Sequence, residues 1–252
     1  MCINVALYGA TKAWAMTERG RGSLSQSVER FQVGPSALHW DGDMLVIDVD
    51  ERTVPLPGRL KGQIRFTPHS LQPSAFQIDT HGRHHWWPYA PSGRIEATFN
   101  RPDLTWSGHG YADCNHGIAA LEADFQEWQW MRVATQTGAS IFYAPYQRDG
   151  ARSVTALDVD QQGQISPRPV PDVTQLKRGL WGVSRPAWSE SAEAARLMQV
   201  MVDAPFYTRD AVEIMLDGEP CAGVLENLDL DRFSSRWVKT LLPFRMPRVT
   251  RS

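Results

Sequence analysis

The chain has 252 residues, of which 42% are hydrophobic and 21% are charged, and its formal net charge is -2. This length can bury a substantial core, either in one large β-domain or in two small ones. The small net charge gives no reason to expect a nucleic-acid partner. No apolar run reaches the roughly 18 residues that a membrane-spanning helix needs, so the sequence predicts no such helix.

The cysteines and the N-terminus indicate a reduced compartment. Cys2, Cys114 and Cys221 are widely spaced and form no CxxC pair, which argues against a zinc ribbon and against a disulfide scaffold. The N-terminal sequence MCINVALYGA lacks the charged and long apolar segments of a signal peptide. A cytoplasmic protein is therefore expected. The ten tryptophans are unusual and indicate either large apolar volumes or a pocket for a large ligand.

Strand patterns dominate the first half of the chain. Short runs rich in β-branched and aromatic residues are separated by Gly, Pro or Asp, and they lie at 3–9, 13–20, 43–51, 62–68, 93–102 and 104–111. In GRIEATFN, for example, Ile95, Ala97 and Phe99 are predicted to face one side of a sheet.

The second half shows the same spacing of strand-like runs, and few segments have a helical pattern. WQWMRVA, ASIFYAPYQ, ARSVTALDVD and DAVEIMLDG are typical of strands, and the turns RDG and QQGQ carry glycine chemistry suited to hairpins. Residues 189–199 could form a short helix, although the end of this segment has the pattern of a strand start. Residues 231–243 are the best helical candidate, with Pro243 as the expected stop.

Many evenly spaced strands with few helices predict an all-β protein of the barrel or sandwich type. The residue pattern of the sequence changes after Gly117. We therefore expect two β-barrel-like domains in tandem, at 1–117 and 118–252, followed within the second domain by a short C-terminal helix.

Two polar-aromatic clusters stand out, HGRHHWWPY at 81–89 and SGHGYADCNHG at 107–117. On a strand, successive side chains alternate, so His84 and Trp86 would share one face. Tyr111 and Asp113 would share a face in the same way. If both segments line one cavity, an acid, an imidazole and two aromatic rings project into it.

Other chemistries are less well supported by the residues. A metal site using His81, His84 and His85 is disfavoured, because adjacent residues of a strand point apart. Cys114 could be a nucleophile, but no nearby residue supplies its base. The chain has no GxSxG, P-loop or HExxH motif. Pattern alone thus indicates an all-β ligand-binding protein or enzyme.

Longer blocks of the sequence resemble a known family. They are NVALYG, WAMTERG, GPSALHWDGDMLVIDVDERTVPLPGRLKG, GRHHWWPYAPSGRIEATF, WSGHGYADCNHG and DRFSSRWVKTLLPFRMPR. Together, from Cys2 to about Arg248, the chain resembles the carotenoid 1,2-hydratases, also called hydroxyneurosporene synthases. That family is similar to proteins built from two lipocalin-like β-domains. Its members usually carry a further N-terminal segment before the NVALYG block, so this chain is expected to be N-terminally truncated.

The resemblance implies hydration of the terminal C1–C2 double bond of acyclic carotenoids such as neurosporene or lycopene, without cofactor or metal. The matched blocks imply four catalytic residues, His84, Trp86, Tyr111 and Asp113. We expect Asp113 to be a neutral acid that protonates C2, and Trp86 and Tyr111 to stabilise the cation. We expect His84 to be a hydrogen-bond partner or base that works with Asp113. The residues expected to bind substrate are Trp87, Trp106 and His109.

Three alternatives remain open at this point. The chain could be a non-catalytic lipocalin-like carrier of carotenoid or another isoprenoid, a cyclase or pericyclase on the same fold, or a metal-dependent hydrolase. A peripheral contact with the inner, photosynthetic membrane is also expected, because residues 236–252 mix basic and apolar side chains. The alternative interpretation is that this segment forms a packed terminal helix whose basic face is solvated.

Overall fold

The computed structural model describes residues 1–249, and strands make up most of that range. The first elements along the chain are β1 (Asn4–Leu7), β2 (Ala13–Met16), β3 (Glu18–Arg19), a 3-10 turn (Arg21–Ser23), β4 (Leu24–Gln26), β5 (Arg30–Val33), β6 (Ser36–Asp41), β7 (Met44–Thr53), β8 (Gly58–Pro68), β9 (Phe76–Gln77), β10 (His84–Arg101) and β11 (Asp103–Gly117).

The later elements follow the same pattern. They are α1 (Leu121–Asp124), β12 (Phe125–Thr135), β13 (Gly138–Gln147), β14 (Thr155–Asp160), β15 (Ile165–Pro167), β16 (Val173–Leu176), β17 (Arg185–Trp188), β18 (Arg196–Asp203), β19 (Tyr207–Leu216), β20 (Glu219–Asp229), α2 (Leu230–Ser234), α3 (Arg236–Arg245) and β21 (Arg248–Val249). The predicted all-β class is confirmed.

Two large antiparallel sheets carry the fold. In the first, the strand order is β11-β10-β8-β7-β6-β5-β4, with β9 paired to β10. In the second, the order is β15-β14-β13-β12-β20-β19-β18. The described chain divides into two compact units, one containing 1–68, 93–110 and the segment from 239, the other 69–92 and 111–238. The domain boundary after Gly117 stays a prediction.

Hairpin turns join most neighbouring strands of these sheets. At the β19–β20 turn, Asp217 has φ 54° and Gly218 has φ 74°. Two consecutive residues with positive φ are the geometry of a type I′ turn, whose twist matches that of the flanking strands. The Asp-Gly pair therefore fixes the register in which Leu216 faces Glu219.

The second unit buries both faces of its sheet. One face packs Met131, Phe142, Ile214 and Leu225 against Trp188. The opposite face packs Trp130, Ile141, Tyr143 and Leu157 with Trp86 and Phe125. In the first unit, Val49, Leu60, Ala97 and Phe99 form the core. The predicted inward set of GRIEATFN is confirmed, because Ala97 and Phe99 are buried whereas Arg94, Glu96, Thr98 and Asn100 are exposed.

The predicted helices differ in detail from those observed. Residues 189–199 form turns and the start of β18 instead of a helix, because the Ser189 and Glu190 side chains bond backbone groups of Ser191, Met215, Asp217 and Gly218. The C-terminal helical region is confirmed, but Ser235 has extended backbone and divides it into α2 and α3. Pro243 lies inside α3. It removes only one backbone donor near the helix end.

Candidate active site

The start of β10 presents the residues of the first cluster alternately. His84 and Trp86 are buried, whereas His85 and Trp87 are partly exposed, as the strand period predicts. Asp79 anchors this start, because its carboxylate accepts the backbone N–H groups of His84, Arg83 and His81 at 2.8, 3.1 and 3.1 Å. Burial acts to raise the pKa of Asp79, but these donors bring it below the ordinary value.

Asp113 on β11 is hydrogen bonded to both predicted aromatic partners. Its Oδ2 accepts the indole N–H of Trp86 at 2.8 Å and the hydroxyl of Tyr111 at 2.8 Å. Three of the four predicted catalytic side chains therefore form one connected group. Because both donors reach Oδ2, they occupy the lone pairs of that oxygen and leave Oδ1 as the atom to carry a proton.

The surroundings of Asp113 favour its neutral form. Burial raises the pKa of its carboxyl above the ordinary value, and the hydrogen bonds from Trp86 and Tyr111 oppose this only in part. Removing a carboxylate from water penalises its charged state. Burial, followed by the nearby Asp113 charge, also raises the pKa of Tyr111, so the phenol keeps its proton.

Aromatic rings from the second sheet surround this group. Tyr143 stacks on Trp86 with ring centroids 4.8 Å apart, and Trp130 packs against Tyr111 at 5.4 Å. On β12 and β13, Trp130 is the register partner of Tyr143, so both rings project from the same face. Phe76 on β9 contacts Trp86 from another direction at 5.6 Å.

Two further polar side chains border the group. Asn115, two residues beyond Asp113, accepts the Tyr143 hydroxyl at 2.7 Å. The guanidinium of Arg132 lies over the Tyr111 ring, 5.5 Å from its centroid. Strand patterns predicted the segments that contain Tyr143 and Trp130. Their pairing with the Asp113 region has no local signal in the sequence.

His84 lies on the same face as Trp86, but it hydrogen bonds a different acid. Its Nε2 lies 2.6 Å from Oδ2 of Asp124, and its ring packs against Phe125 with centroids 4.9 Å apart. Asp124 also pairs with Arg83. The expected hydrogen-bond partner of His84 was Asp113, but the observed partner is Asp124. Asp124 lies shortly after Gly117, where the sequence predicted a domain boundary.

The remaining candidates for metal or nucleophilic chemistry are His81, His85 and Cys114. His85 stacks on His116 at 5.1 Å, and His81 lies in the turn before β10. Among residues 1–249, no group of three His, Cys, Asp or Glu side chains is arranged to hold a metal ion. Cys114 is a largely exposed residue that forms no disulfide, and partial burial of its thiol, with the Asp113 charge nearby, raises its pKa.

The three residues predicted to bind substrate have different environments. Trp87 points to the opposite face of β10 from Trp86, donates its N–H to the Gln72 carbonyl at 2.8 Å and contacts Tyr89. Trp106 and His109 belong to the first unit, and both are exposed. Their role in substrate binding stays a prediction.

Comparison with known proteins identifies the family. The profile described as "Carotenoid hydratase CrtC" matches residues 1–252. The acyclic carotenoid 1,2-hydratase of Thiocapsa roseopersicina is 45% identical over 249 residues, covering 98% of this chain and 62% of the relative. The enzyme of the same name from Cereibacter sphaeroides is 40% identical over 252 residues, covering 98% and 88%. The chain thus spans less than two thirds of the Thiocapsa protein.

A solved structure shares the fold. The crystal structure of CghA with Sch210972 aligns over 90% of this chain and 74% of its own, with a TM-score of 0.51 and 11% identity. This likeness concerns the fold alone, and it supports the predicted lipocalin-like all-β class. The assignment to a family rests on the sequence relatives instead. With a profile match along its whole length and relatives that align with nearly all of it, the chain belongs to the carotenoid hydratase CrtC family.

Proposed function

We propose that the chain is a hydro-lyase that adds water to the terminal C1–C2 double bond of an acyclic carotenoid, such as neurosporene or lycopene, and forms a tertiary alcohol. The observation that carries this proposal is the partly buried Asp113 carboxyl, with its raised pKa, held by Trp86 and Tyr111. Relatives along nearly the whole chain are named acyclic carotenoid 1,2-hydratases.

Asp113 is the general acid in this proposal. An isolated trisubstituted alkene is a very weak base, so its protonation requires an acid that is neutral at rest. Burial provides such an acid by raising the pKa of a carboxyl. The proton resides on Oδ1, because Oδ2 already accepts two hydrogen bonds, and it is delivered to C2 of the substrate.

The aromatic side chains stabilise the tertiary cation that forms at C1. Cation–π attraction contributes on the order of 1–2 kcal/mol when the ring and the cation are desolvated. Trp86 and Tyr111 are the proposed contributors, and Tyr143 and Trp130 support their rings.

His84 is a positioning residue in this proposal. Its hydrogen bond to Asp124 and its contact with Phe125 hold the start of β10 in place. Trp86 lies two residues further along this strand. Water adds to C1 after protonation, and the reaction involves no change of oxidation state. The proposed chemistry therefore proceeds without a nicotinamide, flavin or metal. Trp87, Trp106 and His109 are proposed to contact the carotenoid chain.

We propose further that the protein reaches its lipid-soluble substrate through a peripheral membrane contact. On α3, the side chains of Trp237 and Phe244 are 49% and 73% exposed, and Trp181 stacks on Trp237 at 6.1 Å. Lys239 and Arg245 share this helix, whereas Arg251 lies outside the described residues. Exposed aromatic rings among cationic groups favour an anionic lipid surface. No helix within residues 1–249 is long and apolar enough to cross a bilayer.

The direct test is a product assay. The purified chain is incubated in detergent with lycopene or neurosporene, without added cofactor, and mass spectrometry detects the addition of one water. A carrier would bind the carotenoid and leave it unchanged. A chain that binds carotenoid without hydrating it would overturn the proposed activity.

A further inference from the structure

A second carboxylate projects from the sheet face that supports the Asp113 group. Glu226 on β20 is the register partner of Trp130 on β12, and Trp130 is in turn the partner of Tyr143 on β13. Directly paired residues of antiparallel strands project to the same face. Glu226, Trp130 and Tyr143 therefore form one row across the sheet.

This row lies against the side chains that hold Asp113. Trp130 packs on Tyr111 and Tyr143 stacks on Trp86, and both Tyr111 and Trp86 hydrogen bond Asp113. Glu226 is thus the next side chain in a row whose other two members contact the partners of the acid. The side chain of Glu226 is 13% exposed, so it is largely withdrawn from solvent.

The two carboxyl groups have different hydrogen-bond partners. Asp113 accepts bonds from the neutral groups of Trp86 and Tyr111. Glu226 pairs with the guanidinium of Arg209 at 2.9 Å, and Arg209 is its register partner on β19. An arginine partner favours the ionised form of a carboxyl, whereas neutral donors favour it less. Two carboxyls held in different states are the pattern of an acid and a base in one site.

Charged and titratable groups act on both carboxyls. Burial raises the pKa of Glu226 above its ordinary value, Arg209 and the Tyr207 side chain oppose this in part, and Asp113 adds to it. The Arg209 charge also acts on Asp113, whose pKa it lowers, and the Glu226 and Asp113 charges both raise the pKa of Tyr143. Each carboxyl therefore lies within electrostatic range of the other.

We propose that Glu226 is the general base of the hydration and that Arg209 keeps it ionised; this inference rests on the proposed function. The O–H bond of Asp113 breaks and the alkene electron pair forms the C2–H bond, which leaves the cation at C1. The oxygen of a water molecule then bonds to C1, and one of its protons passes to the Glu226 carboxylate. The proton returns from Glu226 to Asp113 through solvent, so that one water has been added and both groups are restored.

His84 is less suited to this step. Its Nε2 is already bonded to Asp124 at 2.6 Å, and the side chain of His84 is only 3% exposed. Glu226 is paired with Arg209, and this cation stabilises the charged form that a base requires.

The test compares Glu226→Gln with a matched control, Glu213→Gln. Glu213 lies on β19, four residues from Arg209 on the same face, and it pairs with Arg196. We expect Glu226→Gln to lower kcat by about 100-fold or more, the usual contribution of general acid–base catalysis, while the control changes kcat less than twofold. Carotenoid binding is expected to be retained in both variants.

The pH dependence separates a base from a structural residue. In the wild type, activity rises with pH as Glu226 ionises and falls as Asp113 ionises. Glu226→Gln removes the rising limb. Arg209→Gln raises the pKa of both carboxyls, because it removes the charge that lowers them, and moves the whole profile to higher pH. A merely structural ion pair would leave both limbs in place.

A second variant keeps the proposal testable if Glu226→Gln unfolds. Glu226→Ala leaves room for a small carboxylate, and added formate is expected to restore hydration in a concentration-dependent manner. Glu226→Gln that folds and hydrates at the wild-type rate, or Glu226→Ala that is inactive with and without formate although folded, would overturn the assignment of Glu226 alone. A wild-type chain that forms no hydrated product would overturn the proposed function itself.

Discussion

The indole N–H of Trp86 donates to the same carboxylate oxygen of Asp113 that accepts the Tyr111 hydroxyl, at 2.8 Å in both cases. Trp86 and Asp113 are 27 residues apart in the chain and lie on different strands, β10 and β11. The bond fixes the orientation of the carboxyl and directs its second oxygen away from these donors. Trp86 therefore contributes to the acid as well as to the aromatic surroundings of the cation.

Two replacements of Trp86 distinguish the effect of its aromatic ring from the effect of its N–H group. Trp86→Phe keeps an aromatic face but loses the bond to Asp113, and Trp86→Leu loses both. A cation–π contribution of about 1–2 kcal/mol corresponds to roughly 5–30-fold in rate, so Phe should retain about tenfold more activity than Leu. Steady-state hydration rates, measured below the unfolding temperature of both variants, check this.

The control for this pair is Trp188→Phe. Trp188 is buried on the opposite face of the second sheet, stacked on Phe142, so its loss affects the core but not the Asp113 group. Equal rates for Trp86→Phe and Trp86→Leu would contradict a role for the ring.

The pKa of Asp113 predicts how stability depends on pH. Because burial raises this pKa above its value in the unfolded chain, the contribution of Asp113 to stability is full below the unfolded pKa, about 3.9. It is lost as pH rises through the folded pKa. Asp113→Asn cannot ionise, and its amide oxygen still accepts both hydrogen bonds.

Asp113→Asn should therefore gain stability relative to the wild type as pH rises from about 4 to 8. A difference of about 1 kcal/mol shifts Tm by about 2–4 °C in a chain of this size, which calorimetry resolves. A constant Tm difference between the two proteins across this pH range would show that Asp113 ionises normally in the folded state.

His84 and Asp124 form a pair that tests positioning. If His84 holds the start of β10, His84→Asn and Asp124→Asn should lower kcat by similar factors. Each should also lower the free energy of unfolding by about 1–3 kcal/mol, the usual effect of leaving a buried partner unsatisfied. Kinetics and chemical denaturation of both variants measure this. Loss of turnover in His84→Asn alone, with Asp124→Asn active, would assign His84 a direct part in proton transfer.

The exposed rings of α3 predict lipid binding. The double variant Trp237→Ala/Phe244→Ala should bind vesicles containing anionic lipid at least tenfold more weakly than the wild type, and wild-type binding should weaken with salt. Leu56→Ala, which removes an 80% exposed leucine from the first unit, is the matched control. Vesicle sedimentation measures the binding. Equal binding by the double variant and the wild type would contradict the proposed surface.

The strand period accounts for what the sequence could predict about the site. Alternation on β10 predicts the shared face of His84 and Trp86, and alternation on β11 predicts that of Tyr111 and Asp113. Both pairs are short-range relationships, fixed by the backbone geometry of a single strand. The resemblance to a family then indicated which face carries chemistry.

The rest of the site depends on pairings that are distant in sequence. The short turn between β12 and β13 sets the register that pairs Trp130 with Tyr143. Glu226 meets Trp130 through the pairing of β12 with β20, and these strands are far apart in the chain, so no local turn specifies their register. The pair of His84 with Asp124 also had no local signal in the sequence, because Asp124 lies 40 residues away. The possible helix at 189–199 is not observed, since side chains of Ser189 and Glu190 bond the β19–β20 hairpin, whereas the strand start expected at the end of this segment is observed as β18.

The most direct measurement compares hydration by the wild type and by Asp113→Asn, with Asp43→Asn, an exposed turn residue, as control. Each purified protein is incubated in detergent with lycopene or neurosporene, and mass spectrometry quantifies the product that has gained one water. We expect the wild type and the control to form it and Asp113→Asn to be at least about 100-fold slower while folded. Substantial turnover by Asp113→Asn would contradict the assignment of Asp113 as the acid.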